Sequence, residues 1–169
     1  MKALLALCLL AQADAGITEV SQTSRAPGPN EQRVRITVRA IAASDEGPGG
    51  LDEKLAPIAP HLKNFGEQFR YRTYKLLQEQ RFDLDWKSPA QIELPGSRSL
   101  QVTPRQLAAD GKIRVHLELL GEHPQHSRKL HTDYSIQRGG TLLVGGLRVD
   151  PRDEKAGTLL IAVTQETEK

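Results

Sequence analysis

The residues predict a mainly β (α+β) domain: an antiparallel sandwich or partly open barrel of about eight short strands, with one Pro-kinked helical insert. Three observations carry this prediction. Apolar and polar residues alternate with period two in successive runs from Arg33 onward. Turn residues interrupt those runs about every ten positions. One stretch alone, Leu51 to Phe65, departs to helical spacing, and Pro57 and Pro60 interrupt it.

The first strand is Val34, Ile36, Val38 and Ala40 alternating with Arg33, Arg35, Thr37 and Arg39. Ser44 to Gly50 is a loop. Leu51, Leu55, Ile58, Leu62 and Phe65 then share one helical face, and the prolines predict a kink, or two short turns with Pro60 at a helix start. Tyr71–Glu79 and Phe82–Trp86 read as two extended segments, the second with Arg81, Asp83, Asp85 and Lys87 outward. Pro95-Gly96-Ser97 joins Ile92–Leu94 to Leu100–Val102 as a hairpin. Ile113–Leu119 and Leu130–Ile136 alternate cleanly. Thr141–Val144 and the closing Thr158–Thr164 complete the count. The Arg33, Arg35, Arg39 stripe is expected to be solvated, as charged faces of strands usually are.

The chain has 169 residues, which suits one domain. Its 23 Lys plus Arg against 21 Asp plus Glu leave a net charge of +2, too small to argue for nucleic acid, and no nucleic-acid partner is expected. Ten prolines, fourteen glycines and seven aromatics describe a turn-rich chain with a lean core. A polytopic membrane protein, a coiled coil and a disulfide-stapled mini-protein are excluded.

Met1-Lys2, the apolar run Ala3 to Ala11 and Ala13-Asp14-Ala15 have the form of a signal peptide over residues 1–15. The apolar run is too short to span a bilayer, so no transmembrane span is expected after cleavage. Leu7 precedes Cys8 where a lipoprotein signal wants a small residue, so Cys8 is expected to leave with the leader. The mature chain then has no thiol chemistry. Residues 16–32 read as a flexible lead-in, 33–164 as a single β-rich domain, and 165–169 as a charged tail. The address is the periplasm or cell envelope of a bacterium.

Phe69-Arg70-Tyr71-Arg72-Thr73-Tyr74-Lys75-Leu76-Leu77, Leu94-Pro95-Gly96 with Leu100 to Pro104, and Arg138 to Gly146 resemble a functionally uncharacterised family of small exported bacterial β-rich proteins. The resemblance covers most of residues 33–164 and implies export and a β-rich domain. A narrower likeness joins Gly140 to Leu147 and Leu159 to Thr164, which are similar to the C-terminal strands of secretins. It covers under thirty residues, and the loop Arg148 to Ala156 lacks the secretins' proline-bounded apolar motif. A simple hairpin whose glycines permit positive φ accounts for the same residues.

Most chemistries lack their parts. There is no G-x-S-x-G elbow and no phosphate loop ending in Lys-Ser/Thr. Asp45-Glu46 and Asp52-Glu53 border the helical insert, where acidic residues favour the N-terminus electrostatically. His116, His123, His126 and His131 are the metal candidates, His123 and His126 on a loop and the others on flanking strands. With no HExxH helix and no cysteine, exposed histidines are the preferred explanation, and neither a metal nor another cofactor is expected. The basic-aromatic run supplies the binding candidates Arg70, Arg72, Tyr74 and Lys75, with Tyr71 between them. Read as a strand, it places Arg70 and Arg72 on one face and Tyr71 on the other.

The expectation that results is an exported cell-envelope β-domain that acts by binding or assembly, without catalytic activity. One alternative is a periplasmic ligand- or anionic-glycan-binding module, favoured if Arg70, Arg72 and Tyr74 share a concavity. A second is a metal-dependent enzyme using the loop histidines. The partner is expected to be an envelope protein or a second copy, reached through the C-terminal strand. That strand, apolar on both faces from Leu159 to Val163, reads first as buried and otherwise as an edge open to strand addition.

Overall fold

Val34, Ile36, Val38 and Ala40 put one continuous apolar face on β1, Arg33–Ser44, in a computed structural model that describes residues 33–121 and 128–167. The leader 1–15, the lead-in 16–32, His123 and His126, and tail residues 168–169 lie outside the described residues. β1 is paired antiparallel on both sides, with β3 (Thr73–Asp85) and β9 (Asp153–Gln165). The two-residue β2 (Gly50–Leu51) runs parallel to the start of β3, and β8 (Thr141–Asp150) flanks β9. The order is therefore β2-β3-β1-β9-β8.

A second sheet is an antiparallel meander of β4 (Ala90–Leu94), β5 (Arg98–Leu107), β6 (Ile113–Leu120) and β7 (Arg128–Ile136). Between the sheets lies the main core, where Val34, Ile36 and Val38 meet Ile92, Leu100, Val102, Val115 and Leu117. The described residues thus form a mainly β sandwich of two sheets and nine strands rather than a closed barrel. Arg98 ties the layers at one end. Its guanidinium donates to the carbonyls of Pro95, Arg148 and Val149 at 2.7–2.8 Å.

The helical insert covers the other face of the five-stranded sheet. It is a 3-10 segment, Glu53–Ile58, running into α1, Ala59–Phe69, with Pro60 in the first turn where its missing N–H costs nothing. Leu55, Ile58 and Leu62 bury against Ile41, Ala43, Tyr74, Leu160 and Ala162, a second and smaller core. No helix among the described residues is long and apolar enough to cross a membrane.

Three expectations are corrected. Tyr71–Glu79 and Phe82–Trp86 are not separate segments but mostly one thirteen-residue strand, β3. Its register slips by one at Leu77, since Ala40 pairs with Gln78 and Ile41 with Leu76. This bulge puts Tyr74 and Leu76 under the helix but Phe82 and Leu84 in the core between the sheets. β8 and β9 extend well beyond Thr141–Val144 and Thr158–Thr164, and Gln165 closes β9 instead of opening the tail.

The charged stripe on β1 is not wholly solvated. Arg39 is 3% exposed, its Nε donates to Glu79 Oε2 at 2.7 Å, and it reaches Thr164 Oγ1 at 3.3 Å. Beside it, Thr37 donates to Glu166 at 2.6 Å. The C-terminal strand is inner, in line with its first reading as a buried strand, and is not the edge of the alternative. β9 lies between β1 and β8, so Ile161 pairs with Ala40 on one side and Val144 on the other. Assembly by strand addition at β9 is closed, because both ladders are already occupied.

Ile161→Pro removes a ladder donor in an inner strand, so it should cost about 3 kcal/mol or more and unfold the domain in a chemical melt. A folded, fully cooperative variant would contradict the topology. For the ion pair, Glu79→Ala strands a buried guanidinium and should cost about 2–3 kcal/mol, a range lowered because the Glu79 side chain is 26% exposed. Arg39→Met leaves no buried charge behind and should cost less, under about 1.5 kcal/mol. Urea denaturation midpoints compare the two, and the reverse order would show that the pair is not what holds Arg39 in place.

Candidate functional site

The turn from helix to strand frames a hollow on the helical side. Asp52 starts it by capping the 3-10 segment: Oδ1 accepts from the Lys54 amide at 3.0 Å and Oδ2 from the Leu76 amide at 3.3 Å. The same residue's amide donates to the Tyr74 carbonyl, so the helical insert is pinned to β3 at its entry. At its exit, Arg70 ends α1 in the left-handed region at φ 62°, where glycine is the usual occupant. Lys87 and Ser97 adopt the same region in turns between strands.

Between α1, the β1–β2 loop and the start of β3 lies a concavity of about 890 Å³. Lys63, Glu67, Arg70, Tyr71 and Arg72 line it, and Asp45 faces them from the loop. Its floor is Tyr74, 8% exposed, whose hydroxyl donates to the Leu62 carbonyl at 3.1 Å. Burial, and then the neighbouring Tyr71, pushes the Tyr74 phenol above its ordinary range, so it remains a donor. Gly66 allows this fit. A Cβ there would collide with the Tyr74 hydroxyl and come within 3.1 Å of the Tyr71 carbonyl oxygen.

Of the predicted binding residues, Arg70, Arg72 and Tyr74 share the concavity and Lys75 does not. The alternation argument fails at this point, because β3 begins at Thr73 and residues 70–72 are a connection. Released from strand geometry, Arg70, Tyr71 and Arg72 line the same hollow. Tyr71 also belongs to a group of three nearly parallel rings. Phe65 and Phe69 stack at 4.4 Å between centroids, and each lies 6.3–6.4 Å from Tyr71. Phe69 is 53% exposed, an apolar ring offered beside a cationic rim.

On the opposite surface, the histidines are arranged differently from the exposed side chains expected. His116 is 8% exposed and its Nδ1 lies 2.7 Å from Asp133 Oδ1 across the β6–β7 ladder. That hydrogen bond, ahead of the charges of His116, Arg105 and Arg114, holds the Asp133 carboxyl below its ordinary range. His131 is exposed and packs its ring against His116, with centroids 4.5 Å apart at 77°. Glu118 completes the group. Neither Asp133 nor Glu118 was indicated by spacing, since only the β6–β7 register brings them to the histidines. That register was legible only as two alternating strands.

No family model, no curated protein and no solved structure matches this chain.

Gly66→Ala tests the packing that shapes the hollow. The helix-propensity gain of about 1 kcal/mol is opposed by overpacking against Tyr74, which costs about 1–3 kcal/mol. A net loss of stability is expected by thermal denaturation, together with an altered Tyr74 fluorescence environment in a Trp86→Phe background. A stabilised protein would show that Tyr74 has room to move.

Proposed function

We propose that this chain is an exported cell-envelope β-domain that works by binding and not by catalysis, and that the hollow at the end of α1 takes an anionic glycan. The observation that carries the reading is Arg70. A non-glycine residue held at positive φ is disfavoured by roughly 1 kcal/mol, and such outliers concentrate at functional positions. Here the side chain kept at that position is a cation lining the concavity.

The rim supports the same ligand class. Lys63, Arg70 and Arg72 face Asp45 and Glu67, so cations outnumber carboxylates three to two. Guanidinium groups pair with carboxylate or sulfate in a bidentate manner, which gives orientation as well as attraction. Tyr71 and the exposed Phe69 offer flat apolar faces of the kind on which a sugar ring packs. Export through the 1–15 leader would place the module where such polymers occur.

Polygalacturonate and neutral dextran are the paired probes, with binding followed by calorimetry. The acidic polymer should bind, weaken as salt rises, and lose at least about tenfold in affinity in Arg70→Gly/Arg72→Ala. Glycine suits the cap, so this variant should melt no lower than the parent. Equal binding to both polymers, or unchanged binding by the variant, would refute the reading.

A further inference from the structure

The register of β6 against β7 builds a second group, independent of the glycan reading. His116 pairs with Asp133, and Glu118 with His131. His116 and Glu118 are two residues apart on one strand, as are His131 and Asp133 on the other. All four side chains therefore stand on one face, as a square on the outside of the four-stranded sheet. Leu117 and Leu119 point the other way, into the core.

We propose that His116, Glu118 and His131 bind a divalent transition-metal ion of the zinc class, with Asp133 as the residue that orients His116. One donor atom from each of the three lies within 4.8 Å of the other two. Ligands about 2.1 Å from a tetrahedral ion stand about 3.4 Å apart, so closure requires a movement of about an ångström per side chain. His131 is exposed, so a rotamer change there is accessible without disturbing the core. His116, by contrast, is buried and already held.

The hydrogen bond that holds it also selects its chemistry. A carboxylate can only accept, so Nδ1 of His116 carries the proton in the bond to Asp133. In the neutral ring Nε2 is then the unprotonated nitrogen, the form in which imidazole ligates a metal. Carboxylate–histidine pairs of this kind fix ring orientation and raise ligand basicity at metal centres. Two imidazoles and one carboxylate suit zinc, nickel or copper. Calcium and magnesium prefer all-oxygen sets. Three protein donors on an open sheet face leave the outward coordination position to water.

The test uses the full chain, stripped of metal, titrated with zinc chloride in a non-chelating buffer. One equivalent should bind saturably, raise the melting temperature, and be undisturbed by excess magnesium. His131→Ala changes an exposed side chain and should fold normally by circular dichroism, yet weaken zinc binding at least tenfold. Asp133→Asn, which touches no metal, should weaken it by about 10–100-fold. His123→Ala/His126→Ala should leave binding intact. The proposal falls if zinc does not bind saturably, if His131→Ala binds as the parent does, or if Asp133→Asn has no effect. It also falls if the loop double variant alone abolishes binding.

Discussion

Pairing the first described strand with the last, in the middle of one sheet, is the constraint from which the rest follows. β1 and β9 each carry apolar residues on both faces, and each has a partner on both sides. Strands of this kind need cover above and below. The meander of β4 to β7 supplies one cover and the helical insert the other, so the insert is an obligatory third layer over part of the sheet rather than an ornament on a loop. Eleven helical residues span only about 16 Å, so this cover is short. Where it ends, the face of β1 changes from Ile41 and Ala43 to Arg39 and Thr37. Those polar groups are not left orphaned: Glu79, Thr164 and Glu166 satisfy them, as burial requires.

The same constraint shapes the hollow. α1 must come close enough to β3 for Leu62 and Tyr74 to bury, and the absence of a side chain at position 66 leaves the Tyr74 hydroxyl its place in that approach. The chain then has to reverse from the helix into β3 within residues 70–72, which forces the left-handed cap at Arg70. Further along β3, the slip at Leu77 exchanges the faces, so one strand serves both cores. The cationic rim is thus a product of a tight helix-to-strand reversal. Its residues gather because the connection is short, not because they alternate.

Much of the fold was legible because it rests on local periodicity. β1, β6 and β7 alternate in sequence as they do in space, the Pro95-Gly96-Ser97 turn joins β4 to β5, and Pro60 starts the helix as its missing N–H demands. What escaped depends on distant pairing. The polar stretch Gln78 to Arg81 looks like a break in β3, yet its pairing with β1 carries the strand straight through it. Arg39 looks like every other charged residue on an alternating strand until Glu79, forty positions away, is seen to meet it. The burial of β9 was legible in its two apolar faces, but no spacing within residues 158–164 reveals that β8 returns to pair with its outer side. At the sites the division is the same. Arg70, Arg72 and Tyr74 stand close together in the chain and were found as a group, whereas Glu118 and Asp133 join His116 and His131 only through register.

The two candidate sites also occupy opposite outer surfaces of one layered structure. The hollow lies on the helical side of the five-stranded sheet, and the histidine group on the far side of the four-stranded one, with the main core between them. No side chain belongs to both. Substitutions at sites separated by a packed core, with no shared partner, usually act additively. The scaffold therefore permits ligand contacts to change on one surface while the other is held fixed. That independence has a structural cause: inward residues of β1, β5, β6 and β9 supply the core's cohesion, while the two sites are built on the α1–β3 connection and on the outward face of β6 and β7. His116 is the instructive exception, an outward residue buried by its neighbours. Burial obliges its ring nitrogen to find a partner, and Asp133 at 2.7 Å meets that need while fixing the ring's orientation.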